Sequence, residues 1–83
     1  MEKNIIRRYE IGNSNVILYI HQKDNLILVY IDLYIPENSH KTYIQEFKAN
    51  DLTELIETLI IMFRNMGEYL ITVALKSFLH KKK

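Results

Sequence analysis

Histidine and serine are the residue types in this chain that most often carry acid–base or nucleophilic chemistry. The three histidines, His21, His40 and His80, lie far apart, and none has a histidine, cysteine or glutamate two to four residues further on, as a metal-binding cluster usually has. The three serines lack the glycine pattern of a nucleophile elbow, and neither of the two glycines belongs to a phosphate-binding loop. The sequence therefore predicts no catalytic residue, no metal site and no cofactor.

Paired carboxylates are a second route to acid–base catalysis. Asp51 and Glu54 form one close pair, and Glu54 and Glu57 form another. Both pairs fall where a helix is predicted to begin, and acidic side chains there interact favourably with the helix dipole. The spacing of Asp51 and Glu54 also matches a capping box. We interpret these carboxylates as features of a helix start and expect a protein that is not an enzyme and has no small-molecule substrate.

Tyrosines and basic residues form the remaining pattern with functional potential. Strand alternation predicts that Tyr19, His21, Tyr30, Asp32 and Tyr34 share one face of a sheet with the apolar residues Ile17, Leu26 and Leu28. The flanking strands are expected to add Lys41, Tyr43 and Phe47 on one side, and either Arg7 with Tyr9 or else Arg8 on the other. We predict that this face binds a partner.

Two classes of partner suit such a face. Tyrosine is enriched at the centres of protein interfaces, where the ring is buried and the hydroxyl keeps a hydrogen-bond partner. The alternative is a single-stranded nucleic-acid-binding protein, because aromatic rings stack on unpaired bases with about 1–3 kcal/mol each. That protein would use Tyr19, Tyr30, Tyr34 and Tyr43 with Arg7, Arg8 and Lys41. The net charge of +1 and Asp32 within the face disfavour a phosphate backbone, so the sequence favours a protein partner over nucleic acid.

A tyrosine face requires a sheet, and the first half of the chain has the pattern of four strands. The central strand is residues 26–35, which has one wholly aliphatic register, Ile27, Val29, Ile31, Leu33 and Ile35. Residues 4–11 and 16–22 precede it, and residues 40–47 follow it. Because the connections are short, we predict an antiparallel β-meander over residues 4–47.

Helical periodicity begins after the fourth strand. Residues 51–66 are predicted to form a helix that Asp51 caps and Gly67 ends. Residues 68–80 fit a second helix with one polar stripe, Glu68, Thr72, Lys76 and His80, although they also fit a fifth strand. The helix is favoured because Glu68 at its start and the basic tail 81–83 beyond its end both complement the helix dipole.

The size and composition of the chain predict self-association. Its 83 residues form a single domain, 1–83, and a domain this small buries a modest fraction of its surface, yet 48% of the residues are hydrophobic. We therefore expect a homodimer. The apolar second helix supplies the candidate dimer contacts, Tyr69, Leu70, Val73 and Phe78.

Cysteine content and hydropathy predict the cellular setting. The chain has no cysteine, which excludes a disulfide framework and a thiolate zinc site. No run approaches the roughly 18 apolar residues of a transmembrane helix, and residues 1–8 carry charges where a signal peptide is apolar. We expect a cytoplasmic protein that has no membrane partner.

The sequence thus predicts an α+β fold, a four-stranded antiparallel β-meander followed by two C-terminal α-helices packed on one face of the sheet. No residue motif assigns the chain to a family. The element order resembles that of small α+β single-stranded DNA-binding folds and of many small proteins of viruses and mobile elements, a likeness of fold that does not carry function. We expect a small binding module, encoded by a virus or mobile element, that acts as a regulator or inhibitor through protein–protein contact.

Overall fold

The computed structural model describes residues 2–37, 39–49 and 51–81. The elements follow in the order β1 (Glu2–Ile11), β2 (Ser14–Lys23), β3 (Leu26–Ile35), β4 (Ser39–Lys48), α1 (Leu52–Asn65) and α2 (Tyr69–Lys81). The four strands form one antiparallel sheet in the order β1-β2-β3-β4. The predicted α+β fold is confirmed, and its last segment is a helix. Of the predicted basic tail, Lys82 and Lys83 lie outside the described residues.

The chain consists of two compact units. The sheet unit is Met1–Asn50, and the helical unit is Asp51–Lys83. Tight turns hold the strands of the sheet unit in register. Gly12 adopts φ 61° in the β1–β2 turn and Asp24 adopts φ 54° in the β2–β3 turn. Glycine has no steric penalty in this left-handed region and aspartate tolerates it, which explains why these residue types occupy the two-residue hairpin turns.

One face of the sheet is a hydrophobic core, and we call it the core face. Seven residues of the aliphatic registers of β2 and β3 are at most 2% exposed, namely Val16, Leu18, Ile20, Ile27, Val29, Ile31 and Leu33. Ile35, at the end of β3, is half-buried. Full burial of a side chain of this size stabilises the folded state by about 1.5–3 kcal/mol. The predicted division of β3 into an aliphatic face and a mixed face is therefore confirmed.

Local hydrogen bonds define both ends of α1. Oδ1 of Asp51 accepts the backbone N–H groups of Thr53 and Glu54 over 2.9 and 3.3 Å. At the other end Gly67 has φ 80°, its N–H donates to the carbonyl of Arg64, and the N–H of Glu68 donates to the carbonyl of Phe63. This is a Schellman motif, and it confirms Gly67 as the predicted stop.

Both helices of the helical unit carry buried apolar residues. The buried residues of α1 are Leu52, Leu55, Ile56, Leu59, Ile60 and Phe63, and those of α2 are Ile71, Thr72, Ala74, Leu75 and Phe78. Thr72 from the predicted polar stripe is buried, and its hydroxyl donates to the carbonyl of Glu68 over 2.9 Å. Met62 and Met66, which share the apolar periodicity of α1, are instead exposed.

Candidate functional site

The sheet face opposite the core face carries a continuous apolar row, and we call this face the open face. Strand pairing aligns Ile6, Tyr19, Tyr30 and Ile44 side by side across all four strands. Directly paired residues on antiparallel strands point to the same face with Cβ atoms about 4.5–5.5 Å apart. Ile6 is 61% exposed, Tyr30 39% and Ile44 57%. We call these four residues the apolar row.

In the described part of the sheet unit, the large apolar side chains that are most exposed lie on the open face. The five large hydrophobic side chains that are exposed in its described residues are Ile6, Leu26, Tyr30, Tyr34 and Ile44. Their pairing partners place all five on the open face. Soluble monomers rarely leave a contiguous apolar surface of this kind uncovered, and such surfaces usually mark interaction sites.

Charged residues of both signs surround the apolar row. The open face holds four carboxylates and three basic side chains, namely Glu2, Glu10, Asp32 and Glu46 with Arg8, Lys23 and Lys48. All of these charged residues except Asp32 lie either on an edge strand, β1 or β4, or in a cross-strand row at one end of the sheet. The face therefore has an apolar centre with a mixed-charge rim.

Asp32 is hydrogen bonded within its own chain. Thr42, its pairing partner on β4, donates its hydroxyl hydrogen to Oδ1 of Asp32 over 2.8 Å. Nε2 of His40 lies 3.1 Å from the Thr42 oxygen and 3.4 Å from Oδ1 of Asp32, and the His40 ring stacks on Tyr34 with centroids 4.3 Å apart. In a catalytic triad the acid contacts the ring nitrogen that faces away from the nucleophile, whereas Asp32 and Thr42 approach the same nitrogen. This cluster orders the surface and lacks the geometry of a nucleophile with its base.

A shallow concavity lies beside the apolar row. Its volume is about 510 Å³, and it is lined by Asn4, Ile5, Ile6, Tyr19, Ile20, His21, Tyr30 and Asp32. On its rim, Nδ1 of His21 lies 2.6 Å from Oδ1 of Asn4, and Nε2 lies 3.5 Å from a Glu2 carboxylate oxygen. Within the described residues, no three histidine, cysteine or acidic side chains are grouped so as to hold a metal ion.

The structure brings together most, but not all, of the predicted site residues. Tyr19, His21, Tyr30, Asp32 and Tyr34 share the open face, and Arg8 joins them. Of the two alternatives for β1, Arg8 is the one on the open face, and Arg7 with Tyr9 lies on the side of the core face. The predicted placement of Lys41, Tyr43 and Phe47 is wrong, since these three residues also lie on the side of the core face. Arg7 pairs with Leu18, Lys41 with Leu33 and Tyr43 with Ile31. The pairing of Ile35 with Ser39 fixes the phase of β4 and carries Lys41, Tyr43 and Phe47 to the other face.

Ile6 and Ile44 are the open-face residues that sequence reasoning missed. Both registers of β4 contain apolar and polar residues. The register with the two aromatic residues, Tyr43 and Phe47, was wrongly assigned to the open face. The signal that could have found Ile44 was the short β3–β4 connection, because a tight turn fixes which residues pair across it.

The candidate dimer contacts on α2 differ in accessibility. Tyr69 is 72% exposed, and Leu70 and Val73 are half-buried. Phe78 is 4% exposed because it lies on the same helix face as the buried Ala74 and Leu75. The assignment of Phe78 to a dimer contact is therefore wrong, since the residue belongs to the core of the chain.

Comparison with known proteins gives this site no precedent. No protein-family model, curated protein or solved structure matches the chain. Within the described residues, no helix combines the length and the apolar character needed to cross a membrane.

Proposed function

We propose that this chain is a non-enzymatic binding module that makes a protein–protein contact through the open face and acts as a small regulator or inhibitor. The observation that carries the proposal is the apolar row, which crosses the whole sheet without a charged residue. Its outer members Ile6 and Ile44 are more than half exposed, so binding a partner would remove apolar surface from water.

The composition of the open face supports a protein partner. Protein interfaces combine an apolar and aromatic centre with a polar rim, and energetically dominant residues cluster near the centre. Tyr19 and Tyr30 occupy the centre of this face, and the charged side chains occupy its margins. Four strands spaced about 4.8 Å apart and ten residues long at about 3.4 Å each give a face of roughly 650 Å². Specific interfaces bury about 600–1,000 Å² on each partner, so this face lies at the lower end of that range.

The open face is less suited to binding nucleic acid than to binding protein. Four carboxylates outnumber three basic side chains on it, and Arg7, Lys41 and Tyr43 lie on the other side of the sheet. Neutralising phosphates is the main source of non-specific affinity for nucleic acid. Ile6 and Ile44 also lack the flat π-surface on which bases stack.

We place this activity in the cytoplasm. The chain has no cysteine and so has no need of an oxidising compartment.

Site-specific photo-crosslinking in the native host tests the proposal. A photoreactive phenylalanine derivative replaces Tyr30 at the centre of the open face or, as the matched control, Tyr69 on α2, which is the more exposed tyrosine. We expect a protein adduct from position 30 that is lost when Ile44→Lys is added, and no such adduct from position 69.

Two results would contradict the proposal. One is a protein adduct from position 69 with none from position 30. The other is an adduct of position 30 with nucleic acid, accompanied by oligonucleotide binding that weakens steeply with salt and is lost in Tyr30→Ala.

A further inference from the structure

We infer that the protein bound by the open face is a second copy of this chain, related by a two-fold axis that runs parallel to the strands between β2 and β3. This inference rests on the proposed function of the open face and names its occupant. The observation that supports the inference is the order of residues across the open face. A 180° rotation about this axis places the apolar row of one copy opposite the apolar row of the other, and the acidic Glu2 opposite the basic Lys48.

The rotation keeps each cross-strand row opposite the same row of the second copy. It exchanges β1 with β4 and β2 with β3, and the strand directions of the two sheets stay aligned, as in common sheet-on-sheet packing. In the apolar row, Ile6 then faces Ile44 of the second copy, and Tyr19 faces Tyr30. The most exposed apolar residues of the face thereby cover each other.

The charges at the rim are complementary under the same rotation. Glu2 and Lys48 lie at opposite ends of one row, so that Glu2 of each copy faces Lys48 of the other. Glu10 and His40 lie at opposite ends of another row, so that the Glu10 carboxylate of each copy faces the His40 imidazole of the other, whose N–H can donate to it. The rotation brings no two charges of like sign face to face.

The other two-fold arrangement of two stacked sheets is disfavoured by charge. In this arrangement the two-fold axis lies between the two sheets and runs perpendicular to the strands. Each strand then lies opposite the same strand of the second copy, and the order of the cross-strand rows is reversed. Glu2 then faces Glu10 of the second copy. Like charges placed opposite each other in an interface oppose association, so the charge pattern selects the axis parallel to the strands.

The shape of the face and the state of Asp32 fit this arrangement. The concavity lined by Ile6, Tyr19 and His21 is the region that Ile44 and Tyr30 of the second copy cover. Asp32 faces Ile17 across the interface, but its carboxylate is 17% exposed and already accepts the hydroxyl of Thr42. Little further desolvation is therefore required of it. Two faces of roughly 650 Å² bury about 1,300 Å² in total, which lies within the range of specific interfaces.

Mass measurement across a dilution series is the first part of the test. The chain has a mass of 10.0 kDa, and we expect light scattering to give twice that value at micromolar concentration. Tyr30→Arg should shift the mass to that of the monomer, and Tyr69→Arg should leave the dimer intact. Circular dichroism and thermal melting confirm that each variant is folded. Tyr30 lies on β3, an inner strand of the sheet. A dimer that survives Tyr30→Arg but not Tyr69→Arg overturns the inference. A dimer that survives both substitutions also overturns it.

Charge reversal is the second part of the test, and it determines the axis. Glu2→Lys and Lys48→Glu should each weaken dimerisation by about tenfold at low salt, since each change alters two symmetry-related contacts, and 1 M salt should remove the effect. The double variant should restore the dissociation constant. The perpendicular axis makes the opposite prediction for Glu2→Lys, which would tighten association by relieving repulsion from Glu10.

The failures of the two proposals are distinguishable. A chain that stays monomeric at high concentration, while position 30 still crosslinks to a protein of another mass, overturns the dimer and leaves the proposed function intact. Loss of every protein contact at position 30 overturns both.

Discussion

Thr42 and Asp32 are paired across β3 and β4, and the threonine hydroxyl donates to Oδ1 of the carboxylate over 2.8 Å. Asp32 is the acidic residue closest to the centre of the open face, and its side chain is 17% exposed. The Asp32 carboxylate therefore has a hydrogen-bond partner within its own chain. The sequence alone identifies Asp32 as unfavourable for a phosphate backbone, whereas the pairing explains how the fold tolerates it.

Removal of the Thr42 hydroxyl should destabilise the sheet unit. Thr42→Val preserves the β-branched shape but leaves the Asp32 carboxylate with the longer His40 contact, and we expect a loss of about 1–2 kcal/mol in the free energy of unfolding. Urea denaturation at neutral pH measures this loss. Thr42→Ser is the matched control because it keeps the hydroxyl. A serine variant destabilised as much as the valine variant would argue against the hydrogen bond as the cause.

Neighbouring residues of β3 should respond very differently to truncation. Ile31 is 2% exposed on the core face, whereas Tyr30 is 39% exposed on the open face. Ile31→Ala should lower the free energy of unfolding by about 2–5 kcal/mol, because it removes buried methyl groups and leaves a cavity. Tyr30→Ala should lower it by less than about 1 kcal/mol when measured at a protein concentration where the chain is monomeric. Similar losses in the two variants would contradict the assignment of the faces.

The two inner strands illustrate what the sequence can predict. One register of β3 is wholly aliphatic and the other mixes tyrosine, aspartate and leucine, so the hydrophobic pattern alone identifies the buried face. The same holds for Val16, Leu18 and Ile20 on β2, which are buried as predicted. A strand whose two faces differ this clearly leaves no alternative register.

The edge strand β4 illustrates what the sequence leaves open. Thr42, Ile44 and Glu46 alternate with Tyr43 and Phe47, so both registers mix apolar and polar groups. The choice between them comes from pairing with β3, which is a non-local property. The cluster of Asp32, Thr42 and His40 likewise depends on this pairing, because ten and eight positions separate Asp32 from its two partners along the chain.

The N-cap of α1 offers a test in the helical unit. Oδ1 of Asp51 accepts two backbone N–H groups that would otherwise lack a partner within the helix. Asp51→Ala should lower the free energy of unfolding by about 1 kcal/mol, whereas Asp51→Asn should retain most of the stability because its side-chain oxygen can also cap the helix. Urea denaturation followed by helical circular dichroism makes the comparison. Equal losses in the two variants would exclude capping as the source of the stabilisation.

Burial of Tyr9 predicts a pH dependence at the alkaline end. Tyr9 is 9% exposed, and this burial raises the pKa of its phenol, although the positive charge of Arg7 offsets part of the shift. The folded chain therefore holds this proton more tightly than the unfolded chain does. The stabilisation that results is fully present below the unfolded pKa of about 10 and is lost as the pH rises through the folded pKa.

Tyr9→Phe isolates the contribution of the Tyr9 hydroxyl, because the other tyrosines and the lysines are the same in the variant and in the natural chain. We expect the free energy of unfolding to fall more steeply between pH 9 and pH 11 in the natural chain than in Tyr9→Phe, because phenylalanine has no proton to lose. Urea denaturation at each pH gives the two curves, and phenolate absorbance shows which tyrosines titrate before unfolding. Parallel curves would mean that the Tyr9 hydroxyl ionises as readily in the folded chain as in the unfolded one.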